Sequence, residues 1–246
     1  MYEKEVIVPS KISFISDLPP IQNQYRLGAC ASFAFTRIAS VFDPHILFSP
    51  LFSYFFARLL EFGIENIGED SGVSLRGMLK AANQYGWSLE ELWRYIAERF
   101  SLEPDDVSKM FATNKLKYKR VVYYKVHTSD EVKYGMTMGY VPFLGITITD
   151  SFYSEQTMKT GIIIPPSGKE YGYHAVMSPC FDDDLKKTDS GNGCHVIDNS
   201  WGMSVGDNGR FYMPYEVFPT IVNDAWMVKI VDVGAGGTDG IVKTIV

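Results

Sequence analysis

The chain has 246 residues, a formal net charge of −6 and a hydrophobic content of 46%. This length and apolar content suffice for one large domain or for two lobes around a shared cleft. The acidic balance argues against a nucleic-acid partner, because phosphate binding requires a basic surface. No apolar run reaches the roughly 20 residues of a membrane-spanning helix, and the N-terminus lacks the apolar stretch of a secretory signal. Three cysteines disfavour a disulfide framework, so we expect a cytoplasmic protein without a membrane partner.

The first half of the chain predicts helices. An apolar run with helical spacing begins at Cys30. A second helix is indicated after Ser49, a favourable N-cap residue that Pro50 follows at the first helical position. A third helix is expected to stop before Gly86, since glycine commonly ends helices.

Two further helices are expected before the pattern changes. Ser88 and Glu91 have the spacing of a capping box at the start of an apolar run. The segment 103–115 indicates one more short helix. The sequence therefore predicts a helical lobe over about residues 13–118.

From about Lys119 onward the chain consists of short β-branched or aromatic runs, separated by turn-forming residues. This spacing predicts an antiparallel sheet or barrel, interrupted by one helix that begins near Ser129. The expected strands are at 120–126, 141–148, 173–181, 194–201, 209–215 and 225–231.

The fold class that follows is α+β. A helical lobe precedes a β lobe over about residues 119–233, and a cleft is expected between them. Residues 182–193 are polar and rich in turn formers, which indicates a long hairpin loop. Residues 234–246 are expected to form a glycine-rich flexible tail of the same single unit, 1–246.

Five residues suggest chemistry: Gln24, Cys30, His174, Asn199 and Trp201. A helix N-terminus stabilises an anion, so a thiolate at Cys30 would benefit from its position. A neighbouring imidazolium at His174 would stabilise it further, and a side-chain carbonyl from Asn199 can hold that ring in one orientation. Trp201 can shield the bond between the two. The amide of Gln24 and the backbone N–H of Cys30 are candidate donors to a developing oxyanion.

The strands that carry His174 and Asn199 flank the expected hairpin loop. If they pair without a bulge, these two residues lie opposite each other on one face. In that register Cys180 and Cys194 point to opposite faces. We therefore expect both of these cysteines to be reduced, and Cys194 with its neighbour does not form a zinc motif.

Three segments resemble the papain-like cysteine peptidase family. "IQNQYRLGACASFAF" is similar to the family's nucleophile segment, "YHAVM" to its His-Ala-Val strand, and "IDNSWGMSVGDNGRFYM" to its Asn-Ser-Trp-Gly stretch. The resemblance runs from roughly residue 9 to residue 229 and preserves the order Cys, His, Asn. It implies the papain-like two-lobe fold: a helical lobe, an antiparallel β-barrel lobe and an active-site cleft between them.

The resemblance also implies roles. Cys30 would be the nucleophile, His174 the general base and acid, Asn199 the residue that orients His174, and Gln24 part of the oxyanion hole. The implied reaction needs no metal or organic cofactor, and the implied partner is a peptide or protein substrate. Residues that we expect near the substrate share an uncharged character, which suggests preference for an apolar residue beside the cleavage site. They are Gly72, Val73, Pro142, Phe143, Ala175 and Trp201.

The chain departs from the family pattern at three positions near the nucleophile. Ala31 stands where the family has Trp, Leu27 where it has a half-cystine, and Tyr25 where it has Gly. These changes resemble a non-secreted branch found in bacteria, phages and large viruses, so a virion-associated location is a second expectation. Only 29 residues precede Cys30, fewer than the family's inhibitory prosegment. We therefore expect control by another route, such as a protein inhibitor, or a trimmed product.

Two alternatives to a peptidase remain open. The chain could be a catalytically silent binding or structural module, since Tyr25 could crowd the oxyanion site. It could instead transfer acyl groups to amines, as transglutaminases do with an Asp in third place; Asp198 is adjacent but on a strand would face away from His174. Glu69 and Asp70 are expected to be solvated rather than calcium ligands.

Overall fold

A computed structural model of the chain describes residues 6–187 and 193–234. Within these ranges the protein has seven α-helices and seven β-strands. The helices are α1 (Cys30–Phe42), α2 (Pro50–Phe62), α3 (Leu75–Tyr85), α4 (Asp106–Leu116), α5 (Ser129–Thr137), α6 (Glu155–Thr160) and α7 (Phe218–Ile221). The strands are β1 (Lys11–Ser13), β2 (Lys119–Lys125), β3 (Val141–Thr149), β4 (Glu170–Asp182), β5 (Cys194–Asp198), β6 (Arg210–Pro214) and β7 (Val222–Asp232).

The capping signals place the first helices as predicted. α1 begins at Cys30. The side chain of Ser49 accepts a hydrogen bond from the backbone N–H of Phe52, and Pro50 occupies the first turn of α2. α3 ends at Tyr85, and the following Gly86 has a φ of 75°, in the left-handed region that glycine adopts without strain. The predictions for α4 and for α5 are also confirmed.

The helix predicted after Ser88 is wrong. That segment forms turns and a single 3₁₀ turn at Ala97–Arg99. Its backbone is paired with the chain just before α2: Ser49 N donates to Ser88 O at 2.9 Å, and Glu90 N donates to Leu47 O at 2.9 Å. Ser88 O, which would accept the first bond of a helix capped by Ser88, is bonded to Ser49 N instead, so tertiary pairing overrides the local capping signal.

The strands form one sheet in the order β2-β7-β3-β4-β5-β6, with β1 added against β4. Every pairing between these strands is antiparallel. The α+β class is therefore confirmed. The short elements β1, α6 and α7 were not predicted.

The register of β4 on β5 differs from the uninterrupted pairing expected from the sequence. Met177 lies opposite Asp198, whereas Cys180 lies opposite Val196, so the register shifts by one residue between them. The shift places Cys180 and Cys194 on the same face, contrary to the expectation, but both thiols are free. β5 ends at Asp198, so Asn199 follows the strand rather than pairing with His174.

The sheet separates two apolar layers, and β3 shows the alternation most clearly. Phe143 packs with Phe35 and Trp87 in the layer beneath the helices, whereas Leu144 packs with Phe211 in the opposite layer. α1 lies against β4. This contact between the N-terminal helices and the sheet sets the position of the cleft.

The glycine-rich tail expected at 234–246 lies outside the described residues apart from Gly234, as do residues 188–192 of the hairpin loop. In the part of the chain that the structure describes, no helix has both the length and the apolar character needed to cross a bilayer.

Candidate active site

Cys30 is the first residue of α1, and its side chain is partly exposed. Packing of α1 on β4 brings the thiol to the backbone of Ala175, the residue after His174. Burial raises the pKa of the Cys30 thiol above its usual value. Hydrogen bonds from the backbone at Ala175, Ala31 and Cys30 itself lower the pKa, and the negative charge of Asp70 raises it.

His174 lies on β4 with only 5% of its surface exposed. Its Nε2 is 2.7 Å from Asn199 Oδ1. Since a carbonyl oxygen can only accept, this bond places the ring proton on Nε2 and leaves Nδ1 as the free base. Asn199 Oδ1 also accepts from Ser200 N at 2.8 Å, which holds the amide in this orientation.

Burial lowers the pKa of His174 to about 4, and the hydrogen bond to Asn199 raises it in part. Considered separately, the Cys30 thiol and the buried imidazole both favour their neutral forms. The position of Cys30 at a helix N-terminus favours a thiolate, whereas burial opposes it. Two groups that exchange one proton titrate as a pair.

Trp201 covers the His174 ring. The two ring centroids are 4.9 Å apart, with an interplanar angle of 32°. Tyr153 stacks on Trp201 at 5.8 Å, and Phe152 meets the indole edge-on. Trp201 therefore lies over the His174 ring, within an aromatic group that the sequence did not reveal.

Gln24 is held beside Asn199 by main-chain pairing between two short segments. Gln24 N donates to Ser200 O at 2.8 Å, and Asn23 forms an isolated bridge with Trp201. The Gln24 side chain accepts from Ser200 Oγ at 2.5 Å and donates through Nε2 to Leu27 O at 2.8 Å. One of the two Nε2 hydrogens is used in this way, so the second is available as a donor.

Tyr25 does not cover this amide. Its φ of 51° lies in the left-handed region, and its side chain is 73% exposed. The backbone N–H of Tyr25 donates to Asn23 Oδ1 at 2.8 Å. A tyrosine thus adopts a conformation that glycine takes more easily, and directs its ring into solvent.

The other residues expected near the substrate fall into two groups. Gly72, with a φ of 68°, and the partly buried Val73 lie on the segment before α3. Ala175 is buried but presents its backbone to Cys30. Phe143 is 0% exposed in the apolar layer beneath the helices, because β3 is covered on that face; Pro142 is buried as well. We therefore leave Phe143 and Pro142 out of the site.

The carboxylate of Asp198 is bound elsewhere. Asp198 Oδ2 is 2.5 Å from Arg37 Nε, and its Oδ1 is 2.9 Å from Arg210 Nε. The neighbour that orients His174 is Asn199. This arrangement disfavours the transglutaminase alternative, which requires an acidic third residue.

Three residues at the site were missed by sequence reasoning: Ser200, Tyr95 and Asp70. Ser200 binds Gln24, and its position inside "NSWG" was a usable signal. Tyr95 donates its hydroxyl proton to Gln24 O at 2.7 Å. Asp70 binds Gly28 from 42 residues away, a separation that no local motif reveals. Among the described residues, no group of three or more His, Cys, Asp or Glu side chains is arranged to hold a metal ion.

Comparisons with known proteins agree with this geometry. No protein-family model matches the chain. An uncharacterized peptidase C1-like protein of Acanthamoeba polyphaga mimivirus is 30% identical over 242 residues, which cover 92% of this chain and 72% of that protein.

Solved structures give the same result. Xylellain, a cysteine protease from Xylella fastidiosa, matches with a TM-score of 0.75 and 25% identity, covering 91% of this chain and 87% of that one. A bromelain protease from Ananas comosus, solved with an inhibitor, matches with a TM-score of 0.65 and 17% identity, covering 90% and 99%; this second likeness concerns the fold. With the site geometry and the mimivirus relative together, the chain belongs to the papain-like cysteine peptidase family.

Proposed function

We propose that this protein hydrolyses peptide bonds through an acyl-enzyme on Cys30. The observation that carries the proposal is the bond of 2.7 Å between His174 Nε2 and Asn199 Oδ1. It leaves His174 Nδ1 free to take a proton, on a strand whose next residue contacts the Cys30 thiol. The proposal treats the described chain as one unit, with both lobes contributing to the site.

In the proposed first step, the Cys30 thiol gives its proton to His174 Nδ1 while the sulfur attacks the peptide carbonyl carbon. A C–S bond forms and the carbonyl oxygen becomes an oxyanion. The second hydrogen of Gln24 Nε2 and the backbone N–H of Cys30 are the proposed donors to that oxygen. The C–N bond then breaks, and His174 returns its proton to the leaving amine.

In the proposed second step, His174 Nδ1 takes a proton from water, which attacks the thioester carbon. The C–S bond breaks, His174 passes its proton to the Cys30 sulfur, and the product leaves as a carboxylic acid that loses its own proton to solvent. No metal or organic cofactor takes part in this scheme. Asn199 and Trp201 keep the imidazole oriented and shielded through both steps.

The substrate in this proposal is a peptide or protein that lies across Gly72, Val73 and Ala175. These uncharged residues favour an apolar side chain next to the cleavage site. A protein inhibitor remains the proposed means of control. The proposal includes a cytoplasmic or virion-associated location, which the free cysteines and the similarity to a mimivirus protein support.

The test is covalent labelling with an epoxysuccinyl inhibitor, read by intact mass and peptide mapping. We expect one equivalent on Cys30, and none on the buried Cys180 and Cys194. The His174→Ala variant should lose most of this labelling, whereas Cys180→Ala should keep it. Folded, reduced wild-type protein that takes up no label would reject the peptidase and favour the catalytically silent module.

A further inference from the structure

Asp70 forms a tie between the segment that leads to Cys30 and the segment that precedes α3. Its two carboxylate oxygens are each 3.0 Å from the backbone N–H of Gly28, two residues before Cys30. The hydroxyl of Tyr54 donates a short hydrogen bond to Asp70 Oδ1. A carboxylate that accepts such bonds forms stronger interactions than a neutral acceptor.

The carboxylate is presented from a fixed position. Tyr54 is fully buried on α2, and its hydroxyl also accepts from Gly72 N at 3.1 Å. The guanidinium of Arg58 lies 4.4 Å from the Tyr54 ring centroid. Arg58 donates to Ile67 O at 2.5 Å and to the backbone carbonyl of residue 69 at 2.9 Å. The backbone on both sides of Asp70 is therefore anchored to one buried helix.

The absence of a side chain at Gly28 matters for its close contact with Asp70 and Gly72. A Cβ atom added to Gly28 would lie 3.3 Å from both Asp70 Oδ1 and Gly72 N, closer than most Cβ contacts. A side chain here would push the two segments apart. The absence of a side chain thus permits the close approach that the hydrogen bonds require.

The charge of Asp70 and its hydrogen bonds have opposite effects on the nucleophile. A negative charge near Cys30 raises the pKa of the thiol, which disfavours the thiolate that attacks substrate. The carboxylate therefore offers no electrostatic advantage to the nucleophile. Its contribution must come from holding the backbone, and the two effects can be separated by variants.

We propose that Asp70 is a positioning residue of the peptidase: it holds the backbone at Gly28, and through it Cys30, against the wall of the cleft formed by Gly72. This inference rests on the proposed function, because it concerns the geometry of the same nucleophile.

The experiment compares Asp70→Ala, Asp70→Asn and Tyr54→Phe with the matched control Glu69→Ala. For each variant, the rate of epoxysuccinyl labelling of Cys30 and the kcat and KM on a fluorogenic peptide are measured from pH 4 to pH 9. We expect Asp70→Ala to lower the labelling rate and kcat about tenfold or more, the effect of losing a charge-assisted hydrogen bond. KM should change by less than about threefold, and Glu69→Ala should match the wild type.

Asp70→Asn keeps an oxygen acceptor for Gly28 N–H and removes the charge. We expect its maximal rate to stay within about threefold of the wild type, and its acid limb to move to lower pH. The direction follows because removing a nearby negative charge lowers the pKa at which the Cys30–His174 pair titrates, and this titration sets the acid limb. The labelling rate and kcat of Tyr54→Phe should lie between those of the two Asp70 variants. If Asp70→Ala does not fold, Tyr54→Phe and Asp70→Asn provide the test.

An Asp70→Ala protein with wild-type labelling rate and kcat would overturn the role of Asp70 while leaving the proposed function intact. Equal losses in Asp70→Ala and Asp70→Asn with no shift of the acid limb would also overturn it. Absence of Cys30 labelling in the wild type would reject the proposed function, and this role of Asp70 with it.

Discussion

His174 and His195 occupy neighbouring strands of one sheet and are both buried, yet their surroundings differ. His174 bonds Asn199 at 2.7 Å, lies beneath Trp201 and is next in sequence to the residue that contacts Cys30. His195 is 0% exposed, and its Nε2 lies 2.8 Å from Ser129 Oγ. Its Nδ1 has no hydrogen-bond partner among the described residues.

Burial has the same effect on the charge of both rings. It lowers the pKa of His174 to about 4 and that of His195 to about 3, where the positive charge of Lys133 contributes. A strongly shifted pKa therefore does not identify the reactive histidine in this protein. Their neighbours differ: the Asn199 amide and the Trp201 ring lie against His174, whereas aromatic rings and one hydroxyl lie against His195.

The largest expected difference is in activity. His174→Ala should lower kcat/KM about 10³-fold or more, because it removes the general base and acid. His195→Ala should leave kcat/KM within a few-fold in protein that remains folded, and should instead lower the free energy of unfolding by about 2–4 kcal/mol, as for a large-to-small core substitution. Peptide-hydrolysis assays measure kcat/KM, and urea denaturation measures the free energy of unfolding. A similar loss of kcat/KM in both variants would contradict the difference that we expect between His174 and His195.

Substitutions of the side chains that are hydrogen-bonded to the two histidines should show the same difference between activity and stability, with smaller effects. Asn199→Ala should lower kcat/KM about 10- to 100-fold, since the bond orients a ring that becomes charged during the reaction. Ser129→Ala should cost about 1 kcal/mol of stability and leave the kinetics unchanged. Steady-state kinetics on both proteins provide the check; equal kinetic losses would show that Asn199 has only a structural role.

The pH dependence of the free energy of unfolding should reflect the depressed pKa that both histidines have in the folded protein. A depressed pKa means that the folded protein keeps the ring neutral while the unfolded chain binds a proton below about pH 6.5. The stabilisation is complete above that pH and is lost as the pH falls toward 4 and 3. By pH 5 each ring should account for a loss of about 2 kcal/mol.

The measurement must be a difference between proteins, because Glu90 acts in the opposite direction. Burial raises the pKa of Glu90 to about 7, so its contribution to stability increases as the pH falls. Urea denaturation at pH 7.5 and pH 5 should therefore compare the wild type with His174→Gln and with His195→Gln. Each variant should lose less stability on acidification than the wild type, by about 2 kcal/mol.

The smallest expected effect concerns Trp201. Replacing it with Ala exposes the His174 ring to water, which lets the pKa of His174 rise from about 4 toward its ordinary value. The acid limb of kcat/KM should then move to higher pH, by about one unit. Tyr215→Phe, beside His195, should leave the limb in place. An unchanged limb in the Trp201 variant would show that the indole does not shield the imidazole.

The sequence predicted much of this arrangement, because its signals are local. Ser49 and Pro50 mark the start of α2, and "NSWG" marks the residues around the imidazole. The misplaced helix after Ser88 shows the limit: backbone pairing with residues 47–49 overrides a capping signal. Long-range contacts leave no local pattern, so the hydrogen bond from Gly28 N–H to Asp70 was not predicted, although Asp70 is exposed as expected.

All three cysteines of the chain are free thiols, so no disulfide joins the segments around Cys30. Chemical reduction therefore cannot loosen the cleft, so the protein can be purified and assayed in millimolar dithiothreitol without risk to its fold. The same reductant protects Cys30 from oxidation to sulfenic acid. For this peptidase, one additive preserves both the scaffold and the nucleophile, and oxidants are the condition to avoid.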